Sequence, residues 1–264
     1  MLRHRILTAV VGLPLLIAII WFGEPWFTIL IAIIAVLGSW EFYRMTRRSK
    51  IQPITYFGMA WVLLLVISPH CPYSLTTPFL ITSAIVISLI WFLFRSPKEQ
   101  AFTNWAWTMA GILYIGWMLS YWVELRGLEA GKELVFWAMF TTFANDTSAF
   151  FVGRAWGKHA LAPSISAGKT WEGAIGGLLA SIVVSLILGM IFPLPFSYWQ
   201  TALLGCIISL FAQLGDLAES LLKRNTGVKD AGKLIPGHGG TLDRLDSLIF
   251  TGVIVYYCVV LATL

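Results

Sequence analysis

The run TPFLITSAIVISLIWFLF, from Thr77 to Phe94, decides which class of fold this chain adopts. None of its residues carries a full charge, and its length is close to the roughly 20 apolar residues that cross a bilayer as a helix. Hydrocarbon offers no partners for backbone polar groups, so a run of this kind crosses lipid only when it is helical. It therefore predicts a transmembrane helix over residues 77–94.

The composition of the whole chain extends this prediction. Of the 264 residues, 58% are apolar and only 12% are charged. A soluble domain of this length needs a polar exterior, which this composition cannot supply. The three cysteines form no disulfide framework, because Cys206 and Cys258 lie within apolar runs. We therefore expect a single polytopic membrane domain over residues 1–264, without a separate soluble domain.

Similar apolar runs recur along the chain, and short loops with Gly or Pro separate most of them. The first run follows a basic start and resembles a signal peptide, but it lacks a convincing cleavage site and is predicted to be a retained helix. About nine spans are predicted, over residues 6–22, 25–43, 53–69, 77–94, 101–123, 133–152, 173–193, 198–222 and 245–263. The expected fold class is all-α, a polytopic integral membrane protein.

Basic residues mark alternate loops between these predicted spans. One set of loops carries only Arg126 and Lys132, and the other sixteen of the eighteen Lys and Arg residues fall on the opposite side. Loops rich in Lys and Arg stay in the cytoplasm. We therefore expect a cytoplasmic N-terminus, in a plasma membrane or a bacterial inner membrane.

The eighth predicted span carries acidic residues, which are costly within lipid and therefore indicate function. A polar stripe follows one helix face at positions i, i+3, i+4 and i+7, formed by Asp216, Glu219, Ser220 and Lys223. A structural alternative is that Lys223 extends to the interface and one of the carboxylates merely pairs with it. The whole stripe favours a functional site.

The ninth predicted span opens with a second acidic pair, Asp243 and Asp246, spaced i and i+3. Acids at a helix N-terminus also have a structural explanation, because the helix dipole favours negative charge there and Asp243 or Thr241 could be an N-cap. Two acidic pairs at the same membrane depth instead suit a hard cation. Mg²⁺ binds through one or two carboxylates and leaves positions open for substrate phosphates.

The segment between the two pairs combines cations with a glycine-rich turn, PGHGG. Its cations are Lys223, Arg224, Lys229 and Lys233. Cations and exposed backbone N–H groups beside a metal site are the components of a phosphate clamp. A loop that contacts anionic lipid headgroups is the alternative. Residues 216–246 hold five basic and five acidic residues, and this balance favours the phosphate site.

A second polar cluster lies on the same predicted side of the membrane, in NDTSAFFVGRAWGKH and SAGKTWEG. It contains Asp146 late in the sixth span and Lys169 before the seventh. The letters AGKT imitate the end of a nucleotide-binding P-loop, but Pro163 stands where the first glycine belongs. We therefore expect Asp146 and Lys169 to be additional substrate-binding residues facing the same cavity.

The run SLLKRNTGVKDAGKLIPGHGGTLDRLD, from Ser220 to Asp246, closely resembles the signature of the phosphatidate cytidylyltransferases, also called CDP-diacylglycerol synthases. The shared positions are Ser, Lys-Arg, Lys-Asp, Pro-x-His-Gly-Gly and Asp-Arg-x-Asp at the spacing of that family. The two segments around Asp146 and Lys169 resemble its earlier motifs. One departure is Thr241, where the family usually has an apolar residue.

The resemblance implies an Mg²⁺-dependent enzyme that joins CTP and phosphatidate into CDP-diacylglycerol and pyrophosphate. It also implies a second metal ion, a homodimer and no nucleic-acid partner, with the catalytic motifs in residues 145–247. The implied metal ligands are Asp216, Asp243 and Asp246. Phosphates would be neutralised by Lys223, Arg224, Lys229 and Arg244, with Asp230 orienting Lys229. Pyrophosphate would be bound by His238 and the amides of Gly237, Gly239 and Gly240, and Ser220 would contact substrate.

Two other classes of function share some of these features. Another CTP-dependent lipid enzyme, such as a CDP-archaeol synthase or a polyprenol kinase, would differ in its lipid tail or in the phosphate transferred. A transporter also carries acids within helices. In a transporter, however, we would expect these acids at mid-bilayer, together with broken helices and inverted symmetry between the two halves of the chain. The acids here lie toward one face and in the C-terminal half, which favours the enzyme.

Overall fold

The computed structural model describes residues 2–95, 98–232, 234 and 239–263. It contains ten α-helices: α1 Leu2–Phe22, α2 Trp26–Arg47, α3 Thr55–Ile67, α4 Thr76–Arg95, α5 Lys98–Gly111, α6 Met118–Gly127, α7 Gly131–Trp156, α8 Trp171–Ile191, α9 Tyr198–Asn225 and α10 Asp246–Thr263. A π-helical turn, Ile112–Trp117, joins α5 to α6 without a break. Each predicted span therefore overlaps a helix, the fifth corresponding to α5, the π turn and α6.

Several of these helices have the length and composition of membrane spans. Among the described residues, α2, α4, α8 and α9 are long and apolar enough to cross a bilayer. The shorter apolar helices cover Val10–Phe22, Thr55–His70 and Asp246–Ala262. The chain is a helical membrane protein, while the count of nine spans and the cytoplasmic N-terminus stay predictions.

The helices fall into two compact units. The N-terminal unit comprises Met1–Val123 and Asn225–Asp243, and the C-terminal unit comprises Glu124–Arg224 and Arg244–Leu264. The segment that links α9 to α10 thus packs with the first helices of the chain. The prediction of a single domain over 1–264 stays a prediction.

The core of the N-terminal unit is organised around a tyrosine of α2. Tyr43 is fully buried, and its hydroxyl donates a hydrogen bond to the carbonyl of Thr108, 2.8 Å away. The ring fills the space beside Gly58 and Gly111, where a Cβ atom would collide with it. These glycines let α3 and α5 approach α2 closely, because small residues permit tight helix packing in membranes.

The link between α2 and α3 is held by side chains of α5. The backbone N–H of Gln52 donates to Oδ1 of Asn104 at 2.8 Å, and that of Ile54 donates to Oγ1 of Thr108 at 3.0 Å. Both acceptor residues are buried. The link is therefore held against α5, because two of its backbone N–H groups donate to side chains of that helix.

In the C-terminal unit, α7 and α8 pack tightly through glycines of α8. A Cβ atom at Gly173 would lie 2.7 Å from the carbonyl of Ala149, and one at Gly176 would lie 2.7 Å from Val152. Farther along, Trp137 donates its indole N–H to Oγ of Ser185 at 3.0 Å. This tight pairing positions the polar end of α7, which carries Asp146, against the start of α8.

A small antiparallel hairpin connects α7 to α8. Its strands are β1 Ala160–Ala162 and β2 Ser166–Thr170, with Ala160 opposite Thr170. Oγ1 of Thr170 accepts the N–H of Gly173 at 3.1 Å and so caps α8. No strand is predicted from the sequence here, because β1 is too short to show alternation. The residues AGKT thus belong to strand β2. A P-loop is instead a glycine-rich loop before a helix, so the resemblance is confined to the sequence.

Candidate active site

A cavity of about 400 Å³ opens in the C-terminal unit, between α7, the hairpin, α8 and α9. Its volume lies in the range of pockets that hold small ligands, roughly 300–1,000 Å³. Its polar lining consists of Asn145, Asp146, Arg154, Lys169, Thr170, Gln213 and Asp216. Apolar side chains, including Phe150 and Leu161, complete the wall. An apolar wall with a few charged groups is typical of a substrate site.

An ion pair crosses this cavity from the hairpin to α9. Nζ of Lys169 lies 2.8 Å from Oδ1 of Asp216, and the two side chains are 21% and 36% exposed. Lys169 is next to the last residue of β2, so the hairpin presents it to the cavity. The Nζ atom of Lys169 is itself buried, whereas the Asp216 side chain stays partly exposed toward the cavity. The predicted site residues Lys169 and Asp216 are therefore brought together, although they lie far apart in sequence.

A buried asparagine organises the floor of the same cavity. Asn145 is 1% exposed, and its Oδ1 accepts hydrogen bonds from Ser209 Oγ at 2.7 Å and Gln213 Nε2 at 3.2 Å. Its Nδ2 donates to Oδ1 of Asp146 at 2.9 Å. A Cβ atom at Gly177 would lie 2.6 Å from the Asn145 amide oxygen. The amide thus fixes Asp146 and Gln213 relative to each other.

Asp146 is also held from α10. Oγ of Ser247 donates to Oδ1 of Asp146 at 3.1 Å, and the backbone N–H of Ser247 donates to Oδ1 of Asp246 at 2.8 Å. One residue thus connects two of the predicted site acids. The charge of Asp246 interacts with those of Asp216, Glu219 and Asp146. Helices α7, α9 and α10 therefore gather several carboxylates around one region.

The donor chemistry of this region suits a magnesium ion. Gathered carboxylates repel one another, and a bound divalent cation would relieve that repulsion. Among the described residues, no three or more His, Cys, Asp or Glu side chains are arranged to hold a metal ion. Mg²⁺ needs only one or two protein carboxylates, with water and phosphate oxygens as its other ligands. Asp216 and Asp246 fit that requirement, and the prediction that they bind metal stays a prediction.

The polar stripe of α9 is largely enclosed. Glu219 is fully buried, and its Oε2 accepts a hydrogen bond from Nζ of Lys223 at 2.9 Å. Ser220 is also buried, whereas Arg224 is exposed and donates through Nε to the carbonyl of Ile165 at 3.2 Å. Arg224 therefore contacts the hairpin turn. Lys223 thus contacts a buried carboxylate of the stripe.

The third predicted metal ligand, Asp243, belongs to the N-terminal unit and has a different environment. Both of its oxygens accept the backbone N–H of Ala231 at 3.2 Å, and Oδ2 also accepts that of Gly240 at 2.9 Å. Gly239 has φ +89°, a left-handed conformation that suits glycine. The Asp243 carboxylate thus closes the loop on itself. The Gly240 amide, predicted to bind pyrophosphate, is engaged by Asp243 in this conformation.

A buried acid of α2 holds the same loop and is not among the residues predicted from sequence. Glu41 is 1% exposed, and its Oε2 accepts the N–H of Leu242 at 2.9 Å. Gly232 and Gly240 lie so close to the carboxylate that a Cβ atom at either would collide with it. The sequence does indicate a role for Glu41, because an acid inside a predicted span, here 25–43, is costly in lipid.

The remaining predicted residues of the loop are exposed or lie outside the described residues. Lys229 and Asp230 are exposed, as is Arg244 in a 3₁₀ turn, Leu242–Arg244, ahead of α10. Oγ of Ser49 donates to the carbonyl of Thr226 at 2.9 Å and ties the start of the loop to the N-terminal unit. Gly237, His238 and Lys233 lie outside the described residues, so their predicted roles stay predictions.

Comparison with known proteins gives one consistent family. The model of the cytidylyltransferase family matches residues 3–262. A phosphatidate cytidylyltransferase of Synechocystis is 35% identical, over 98% of this chain and 96% of its own length. One of Bacillus subtilis is 33% identical over 98% of both chains, and one of Brucella abortus is 34% identical over 97% and 92%. The similarity thus spans both units and nearly the whole chain.

Proposed function

The chain belongs to the cytidylyltransferase family, and on that premise we propose that it is a phosphatidate cytidylyltransferase of phospholipid biosynthesis. It transfers CMP from CTP to phosphatidate and releases pyrophosphate. The observation that carries this proposal is the match over nearly full length to relatives of that name. The cavity of the C-terminal unit supports it, because cations and carboxylates lie there beside apolar walls.

The cavity suits a phosphorylated ligand because its cations come from two different elements. Lys169 lies on β2 and Arg154 near the end of α7, and both line the cavity. Lys169 is paired with Asp216, so an incoming phosphate can exchange one anionic partner for another. Arg guanidinium and Lys ammonium groups are the usual partners of phosphate oxygens. We assign the triphosphate of CTP to this cavity.

The reaction needs little proton transfer from the protein. The nucleophile is the phosphate monoester of phosphatidate, which is largely ionised near neutral pH because its second pKa is about 6. An oxygen of this group attacks the α-phosphorus of CTP, a new P–O bond forms, and the bond to the β-phosphate breaks as pyrophosphate leaves. The protein must therefore bring two polyanions together and hold them in line.

The carboxylates of the C-terminal unit would hold the magnesium ion that the family resemblance implies. We propose Asp216 and Asp246 as its protein ligands, with Asp146 beside them. Held there, Mg²⁺ would neutralise triphosphate charge and polarise the phosphoryl oxygens. Asn145 and Ser247 both donate to Oδ1 of Asp146, and these hydrogen bonds hold the Asp146 carboxylate in place. A second metal ion stays part of the proposal without assigned ligands.

The loop that links α9 to α10 is proposed to bind the leaving pyrophosphate. It carries Lys229, the glycine turn and His238, and it is anchored by Asp243 and Glu41. Anchoring matters because misplacing a group by 1 Å can cost about 10²-fold in rate. We further propose a homodimer in the plasma or bacterial inner membrane, with its site facing the cytoplasm. The bias of basic residues toward one set of loops supports that orientation.

The purified protein in detergent micelles, incubated with radiolabelled CTP, phosphatidate and Mg²⁺, tests the proposal. We expect a lipid-soluble cytidine product together with pyrophosphate, and no product without phosphatidate. A lipid phosphate with CDP would instead identify a kinase, and absence of any lipid-soluble cytidine product would overturn the proposed function. Omission and re-addition of Mg²⁺ tests the metal requirement in the same assay.

A further inference from the structure

A second cavity, of about 590 Å³, lies in the N-terminal unit at one end of α2, α3 and α4. It is lined by the last turn of α2, the link to α3, the first turn of α3 and the last turn of α4. Three of its lining residues are cations, Arg47, Lys50 and Arg95. None of the described lining residues is acidic. The cavity therefore has a net positive charge and suits an anion.

The first turn of α3 adds donors to this cavity. The first N–H groups of a helix have no partners within it, and they carry the positive end of the helix dipole. No side chain caps α3 at Ile54, and the N–H of Ile54 itself is bound by Thr108. The first residues of α3, Thr55 and Tyr56, line the cavity, so the positive end of this helix lies beside it.

A buried hydroxyl supplies an independent indication of a ligand. Thr55 lines the cavity and is only 3% exposed. Its Oγ1 is buried and has no hydrogen-bond partner among the described residues. A buried hydroxyl without a partner is costly, which is why nearly all of them have one. A phosphate oxygen in the cavity would accept this hydrogen bond.

The surface of α4 indicates that the anion belongs to a lipid. This helix has the length and composition of a membrane span, and its end exposes Trp91, Leu93 and Phe94. Arg95 follows directly, with its guanidinium carbon 4.9 Å from the centroid of the Trp91 ring. Tyr56, also exposed, lines the cavity from α3. Aromatic side chains followed by cations mark the depth at which hydrocarbon gives way to headgroups.

We propose that this cavity binds the anionic headgroup of a glycerophospholipid, with the acyl chains lying along the exposed face of α4. A soluble phosphate compound could use the same cations and amides, but it would make no use of that apolar face. The proposal does not depend on the proposed catalytic activity, because none of the lining residues belongs to the cavity of the C-terminal unit.

Native mass spectrometry of the full chain in detergent, titrated with phosphatidylglycerol or with phosphatidylcholine of identical acyl chains, tests this site. We expect one phosphatidylglycerol to bind more tightly than phosphatidylcholine. The double variant Arg47→Gln/Arg95→Gln should weaken phosphatidylglycerol binding by about 30-fold, the effect of losing two cations near the headgroup. Arg48→Gln is the matched control, because Arg48 is exposed on the same loop and does not line the cavity.

A second variant keeps every charge and tests the hydroxyl alone. Thr55→Val preserves side-chain shape and should weaken phosphatidylglycerol binding by about tenfold, the effect of one hydrogen bond to a charged group. This variant still tests binding to the cavity if the double variant fails to fold. Wild-type affinity in Thr55→Val would contradict the proposed contact.

Three results would overturn the proposal. Equal binding of the two lipids would show that the cavity does not select an anion. An equal loss in Arg48→Gln would show diffuse surface attraction instead of a site. Displacement of phosphatidylglycerol by glycerol 3-phosphate at the same concentration would show a site for soluble phosphates. Turnover is not measured in any of these experiments, so their outcome is separate from that of the activity assay.

Discussion

Two aspartates that look equivalent in the sequence occupy different environments in the two units. Asp216 faces a cavity and pairs with a lysine from a distant hairpin, Lys169. Asp243 accepts backbone N–H groups of its own loop, from Ala231 and Gly240. Both are predicted metal ligands, yet only Asp216 stands where a ligand can reach it without rearranging the loop. An acid that faces a cavity thus differs from an acid whose oxygens are engaged by backbone N–H groups of its own loop.

Removal of the cavity acid should have the largest effect on activity. In Asp216→Asn, we expect the rate of CDP-diacylglycerol formation to fall by about 10³-fold, because a group that organises phosphate charge is lost. The free energy of unfolding should also fall, because the buried Nζ of Lys169 loses its carboxylate partner. The initial rate and the melting temperature of the purified variant measure the two effects.

The control for this variant is Glu133→Gln, which removes an acid paired with Lys132 at 3.2 Å in the same unit. It should retain wild-type activity because it does not line the cavity. Full activity in Asp216→Asn would contradict the assignment of Asp216 to the reaction.

Removal of the loop anchor should lower activity and stability together. Glu41→Ala leaves the N–H of Leu242 without its acceptor. We expect the free energy of unfolding to fall by about 2 kcal/mol, the cost of an unsatisfied buried donor. Activity should fall by about 10²-fold as the loop loses its position. Thermal unfolding and initial rates measure both quantities.

Glu41→Gln keeps an acceptor oxygen and should retain more activity and stability than Glu41→Ala. Glu24→Gln is the control. Glu24 lies just before the first residue of α2, at the end far from Glu41, and its Oε2 is 3.6 Å from Nε2 of His70. If Glu41→Ala kept wild-type stability and activity, Glu41 would not anchor the loop.

Loss of the asparagine on the cavity floor should have a smaller effect. Asn145→Ala removes the acceptor of Ser209 and Gln213 and the donor to Asp146. We expect roughly a tenfold loss of activity and about 2 kcal/mol of stability, because buried partners lose their hydrogen bonds. Ser83→Ala is the control, since Ser83 makes a local hydrogen bond to the carbonyl of Leu80. Unchanged activity would show that Asp146 needs no positioning.

The exposed end of the hairpin should tolerate substitution best. In His159→Ala, the contact of Nδ1 with Oε1 of Glu172, at 2.6 Å, is lost. Glu172 still accepts the backbone N–H groups of Lys158 and His159. We expect activity within about threefold of wild type, because exposed ion pairs contribute little. A loss of a hundredfold would mean that the hairpin end takes part in substrate binding.

Much of this architecture follows directly from the sequence. Each predicted span overlaps a helix, because apolar runs of this length have no other stable structure in lipid. The hairpin at Ala160–Thr170 is not predictable, since strands this short show no alternation and depend on the helices beside them. The pair of Lys169 with Asp216 could be predicted only as residues of one site, because the contact joins segments distant in sequence.

The role of Asp243 could not be predicted because residue type and spacing do not show which oxygens are already engaged by backbone groups. Glu41 differs, since its place inside an apolar span already indicated a functional acid. Its partner, Leu242, could not be predicted, because two hundred residues of chain separate them. Long-range hydrogen bonds to backbone groups are therefore the part of this site that needs the structure.

Photo-crosslinking with an azido-cytidine triphosphate, followed by mass spectrometry of the peptides, tests most directly where the nucleotide binds. Excess CTP should abolish specific labelling, and inactive Asp216→Asn provides a comparison. We expect adducts in residues 145–174 or 209–216, which contribute to the cavity of the C-terminal unit and its floor. Adducts confined to residues 47–56 or 91–95, around the second cavity, would contradict it.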